Sequence, residues 1–185
     1  MKKTEPWITV GISGEAAVLG LWYDPHSETI VAHLEKRHSG SRPLKCLYVR
    51  HRNQQQYQLL MPASDVLSYD DVVLSPLSSC LFVNVFQVVH EGDQGTSFDW
   101  HGLQAIELPS GKKLFELKGG DLEPRFGHRS PWVAGIVGLA ADAKTLFVSL
   151  AIPQQSDTKL NYSLVKLDPV ERRYELITEL SKVFL

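Results

Sequence analysis

The chain has 185 residues, 43% hydrophobic and 22% charged, the proportions of one folded domain rather than of a disordered, collagenous or coiled-coil chain. Its 19 Lys and Arg stand against 21 Asp and Glu, so no basic excess exists to hold a phosphate backbone and no nucleic-acid partner is expected. Two cysteines, Cys46 and Cys80, are too few for a disulfide-stapled secreted domain, and the cytoplasm is the expected compartment.

In chain order, Met1-Lys2-Lys3 imitates the start of a secretory signal, but Glu5, Pro6 and Glu15 interrupt the apolar stretch that should follow. No run approaches the ~18 apolar residues of a membrane helix, and the longest, 132–141, carries two glycines. No membrane partner is expected. Residues 7–12 predict a single strand. Residues 18–22 predict the next, followed by the turn Asp24-Pro25-His26-Ser27-Glu28 and the run Thr29-Ile30-Val31. The strand Leu47-Tyr48-Val49 then leads through Arg52-Asn53-Gln54 to Tyr57-Gln58-Leu59.

The same phrase returns twice. Residues 72–74, the turn 75–79 and the run from Cys80 are followed by strand 103–106, the turn Pro109-Ser110-Gly111-Lys112 and Phe115-Glu116-Leu117. Residues 136–139, the turn from Ala141 and the run from Thr145 are followed by Leu164-Val165-Lys166-Leu167, Asp168-Pro169-Val170-Glu171 and Tyr174-Glu175-Leu176. The closing aromatic-polar-leucine triplets begin at 57, 115 and 174, so 58 and then 59 residues apart. Each unit reads as four short strands, with no sustained helical spacing, and an all-β chain is predicted. The nearly continuous apolar runs 81–86 and 146–152 are those of strands covered on both faces.

The turn-plus-strand pattern at 75–83 and 141–149, with the strands that follow it, resembles the blades of β-propellers related to the TolB and WD40-like families. The resemblance spans residues 17–180. It departs from WD40 repeats in lacking Trp-Asp and Gly-His at the repeat positions and in exceeding their period of about 40 to 45 residues. It implies a single domain of three four-stranded antiparallel blades, at about 17–63, 70–119 and 133–180, with 1–16 available as a closing strand. A ring closes typically with four to eight blades, so three imply a twofold homodimer forming one six-bladed ring through an interface above ~2,000 Å². Ordinary hairpins in a sandwich or open barrel are the competing architecture.

Two clusters carry candidate chemistry. His90-Glu91-Gly92-Asp93 and Asp99-Trp100-His101 sit in a connection longer than its counterparts: 34 residues separate Leu81 and Phe115, against 27 between Ile30 and Tyr57 and 28 between Leu146 and Tyr174. Their spacing matches no metal motif, and a solvated hairpin loop is the better reading. The connection 119–132 holds Arg125, His128, Arg129 and Trp132, which suit an anion or an acidic peptide, though Pro124 and Pro131 suit a rigid crossing equally well. Arg125, His128, Arg129, Trp132, Asp99 and His101 are therefore the candidate ligand-binding residues. No nucleophile elbow or phosphate loop is present, and neither catalytic residues nor a cofactor are expected. Cys46 and Cys80 read as core residues, and the basic triplets at 36–38 and 50–52 as solvated faces. The sequence thus favours a non-enzymatic binding or scaffold module for a protein or small ligand. A metal-dependent hydrolase or lactonase-like propeller, with its site at the channel mouth, is the alternative that the resemblance implies.

Overall fold

Apolar alternation and turn chemistry together divide the chain into strands. The computed structural model describes residues 16–36, 43–62, 64–92, 95–126, 131–153, 160–171 and 173–179. Its first antiparallel sheet comprises β1 (Ala16–Asp24), β2 (Thr29–Lys36), β3 (Leu44–His51) and β4 (Gln58–Met61). The second comprises β5 (Leu67–Ser75), β6 (Cys80–Gly92), β7 (Gly95–Glu107) and β8 (Lys113–Leu117). The third comprises β9 (Trp132–Leu139), β10 (Leu146–Pro153), β11 (Leu160–Asp168) and β12 (Arg173–Glu179). Each sheet takes its strands in chain order. The predicted all-β class and the four-stranded antiparallel sheets are therefore observed. Strand 7–12 lies outside the described residues, among which no helix is long and apolar enough to cross a membrane.

The first connection of each sheet is a tight turn closed by short polar side chains. Asp24 accepts hydrogen bonds from the backbone N–H groups of His26 and Ser27, both at 3.2 Å, and from the Ser27 hydroxyl. Burial works against its charge, but bonds from Ser27, Ser79 and the turn backbone hold the carboxyl below its ordinary range. Asp142 does the same with the Lys144 and Thr145 N–H groups and the Thr145 hydroxyl, and titrates at about 2. Each turn also contains a non-glycine residue in the left-handed region: Glu28 at φ 49°, Ser79 at 45° and Ala143 at 54°. Successive turns are tied together, Asp24 to Ser79 and the Ser75 hydroxyl to the Ala143 carbonyl.

Alternation along β6 explains why its sequence is apolar throughout. Leu81, Val83 and Val85 pack with Val31, Leu47 and Val49 of the first sheet. Phe82, one residue out of phase, packs with Leu103, Leu117 and the third-sheet residues Val133, Leu146, Val148 and Val165. The middle sheet is thus covered on both faces, each large aliphatic side chain contributing about 1.5–3 kcal/mol by its burial.

The outer sheets turn one face away from the middle. On the first, Ala32, Leu34 and Cys46 form a small cluster with Tyr48 and Tyr57, flanked by Val18, Leu21, Tyr23 and Leu59, which are 44–53% exposed. On the third, strand alternation places Phe147, Leu160, Tyr162 and Leu164 on the corresponding face.

Two sequence expectations are corrected. The long middle-sheet connection is a two-stranded arm with two register shifts rather than a loop, because β6 and β7 run 13 residues each and pair out to Gly92 and Gly95. The 119–132 connection contains a helix, α1 (Gly119–Phe126). Leu122 anchors it in the core at 2% exposure, and Asp121 accepts the Lys118 N–H at 2.9 Å.

Candidate functional site

Because the β6–β7 arm outruns its neighbours, it carries aromatic side chains beyond the core, toward the start of β9. Phe86 pairs with Trp100 and Val88 with Phe98 across the two strands. Phe86, Phe98 and Trp100, together with Asp99, Trp132, Pro131, Pro153 and Gly119, line a cleft of about 400 Å³. One buried side chain sets this geometry. Asn84 accepts the Trp100 indole N–H at 2.8 Å and donates to the Val133 carbonyl at 3.1 Å and to Asp71 at 3.4 Å, linking β6 to β7, β9 and β5. Close approach also requires Gly102, where a Cβ would come within 2.8 Å of the Leu117 carbonyl oxygen.

Of the residues nominated from sequence, Trp132 and Asp99 meet in this cleft. His101 does not: its Nε2 lies 3.6 Å from Glu116, which also receives Gln104 at 2.8 Å and Lys113 and Lys118 at 3.3 Å. Burial opposes the Glu116 charge, but these donors outweigh it and hold the carboxyl below its usual range. Arg125 belongs to α1 through its backbone, its side chain lying outside the described residues, as do His128 and Arg129 entirely. The side chains of His90 and Glu91, and Asp93 entirely, also fall outside them.

No protein-family model and no curated protein matches this chain.

The cysteines and the basic triplet at 50–52 have structural positions, whereas Arg37 and His38 of the other triplet lie outside the described residues. Both thiols are buried; burial pushes Cys80 up to about 11 and also raises Cys46. Arg50 lies over the Tyr57 ring at 5.2 Å, and Arg52 meets Glu28 at 3.1 Å.

Sequence reading missed a second polar site on β5. The β5–β6 register shifts between Tyr69 and Val72, taking Asp70 and Asp71 out of the ladder. They line a cleft of about 360 Å³ with Leu19, Trp22, His33 and Ile136. Asp70 holds Lys45 and accepts the Ser68 hydroxyl at 2.9 Å, while Asp71 accepts the Ile136 N–H at 3.2 Å. The available signal was the acidic doublet interrupting an otherwise strand-like run, 67–74. A further cleft of about 650 Å³ sits near the turns, lined by Phe82, Phe115, Lys144, Glu171 and Arg173 among others.

Proposed function

We propose that this chain is a non-enzymatic binding module of the β-propeller type. Its three sheets act as blades that close with a second copy into a six-bladed ring, and the aromatic cleft receives a partner chain or ligand. The observation that carries this reading is the pair of apolar outward faces on the first and third sheets. They are built by the same alternation as the faces that stack on the middle sheet, so the first sheet of one copy suits the third sheet of another. Four aromatic rings and two prolines supply rigid apolar contact surface, and Asp99 in the lining favours a basic group. The metal-dependent hydrolase is disfavoured because Asp70 and Asp71, the acidic pair of the β5 bulge, are already engaged by Lys45, Asn84 and the Ile136 amide.

Light scattering at micromolar concentration tests the ring. A mass twice the 20.8 kDa of one chain is expected, and Leu21→Glu, on an exposed outward face, should return a monomer. A monomeric wild-type protein overturns the ring.

A further inference from the structure

We infer that the aromatic cleft receives a proline-rich segment of another polypeptide, in the polyproline II conformation and with a basic residue beside Asp99. The inference rests on the reading of that cleft as a binding site. Because β6, β7 and β9 of a single chain supply its rings, it stands whether or not a six-bladed ring forms.

The first argument is the hydrogen-bonding capacity of the lining side chains. Two of them carry an indole N–H. That of Trp100 is taken by Asn84 at 2.8 Å. That of Trp132, a half-buried residue, has no acceptor among the described residues and stays open to solvent. The one side-chain acceptor in the lining is Asp99. These side chains therefore suit a ligand that brings carbonyl oxygens and few N–H groups. An ordinary peptide brings an N–H with every carbonyl, and burying that N–H unpaired is unfavourable. Proline brings the carbonyl alone. A polyproline II segment makes no internal hydrogen bonds, so its carbonyls remain available to the indole.

The second argument is surface. Phe86 and Trp100 stand opposite one another across β6 and β7, with Trp132 contributed by β9. Among the described residues these three rings make no ring contact with one another, so their faces are not spent on each other. Rigid pyrrolidine rings pack on such faces at little cost in conformational freedom, the physics by which aromatic-lined grooves take polyproline II segments. A volume of about 400 Å³ is at the lower end of ligand pockets and suits one turn, whose three residues rise about 9 Å.

The third argument is charge. Asp99 is exposed and has no hydrogen-bond or ion-pair partner among the described residues, so a Lys or Arg in the segment supplies the complementary charge. A quaternary ammonium ion would use the rings and this carboxylate, but would leave the Trp132 N–H without an acceptor.

Calorimetric titration with the capped pentapeptide Pro-Pro-Arg-Pro-Pro tests the inference. It should bind roughly tenfold tighter, or more, than Ala-Ala-Arg-Ala-Ala or tetramethylammonium. In NMR spectra of the wild-type protein, the Trp132 indole N–H resonance, assigned by its loss in Trp132→Phe, should move downfield as the pentapeptide is added. Trp132→Phe keeps a ring and removes the donor, and should weaken the pentapeptide roughly two- to tenfold. Asp99→Asn, at an exposed position, should weaken it roughly two- to fivefold and leave Pro-Pro-Gln-Pro-Pro unaffected. Equal binding of the alanine peptide or of tetramethylammonium overturns the inference while leaving the cleft a binding site. Absence of binding by all three probes overturns both. An unmoved Trp132 resonance, or Asp99→Asn without effect on the arginine peptide, also overturns the inference.

Discussion

Replacing Asn84 by Ala tests the claim that this side chain holds the middle and third sheets in register. Asn84 is fully buried, and its amide satisfies the Trp100 indole and the Val133 carbonyl. The variant strands the indole N–H, which costs about 1–3 kcal/mol where water cannot replace the acceptor. Val133 suffers less, because a carbonyl has a second lone pair. The small void adds to the loss, for a total of about 2–4 kcal/mol. In a chain of this size that lowers Tm by roughly 5–15 °C. Urea unfolding at one fixed protein concentration measures it, the fixed concentration removing any contribution from association. Trp100→Phe then isolates the indole bond: in that background Asn84→Ala should cost about 1 kcal/mol less. A loss below about 1 kcal/mol for Asn84→Ala, or strict additivity of the two substitutions, refutes the reasoning.

Two further outcomes follow from titration and burial. The Glu116 carboxyl titrates below its ordinary 4.5 in the folded state, so its stabilising contribution is complete above that pH and disappears as pH falls through the folded value. Glu116→Gln should therefore unfold more easily than wild type at pH 7, with the difference vanishing in acid; a difference that persists at pH 2 to 3 contradicts the assignment. Both thiols should resist a thiol-specific reagent near pH 8 until the protein is unfolded, because the thiolate is the reactive form and burial suppresses it. Rapid reaction of either cysteine in the native protein argues against the packing described.

The sheets were legible where local chemistry decides structure. The runs from Leu81 and Leu146 became buried strands, and the Asp-Pro and Ser-Pro phrases became turns because short acceptors close them locally. The arm was missed because polar His90 and Glu91 resemble loop composition, whereas pairing continued regardless of side-chain polarity. The helix α1 was hidden because Pro124 suits a rigid crossing equally well, and Leu122 finds its partners on the second and third sheets. Trp132 and Asp99 are 33 positions apart in sequence, and only the length of the arm brings them together. The acidic bulge depends on the register between β5 and β6, which neither strand reveals alone.

The polar ties between successive turns, Asp24 to Ser79 and Ser75 to Ala143, pin the three sheets along one rim. The Asn84 amide, which holds the Trp100 indole, ties the second sheet to the third again at their other end, through the Val133 carbonyl. The aromatic cleft lies at that opposite rim, between the second and third sheets. Its walls are thus held by polar bonds at both ends of the second and third sheets, which favours a cleft of fixed width.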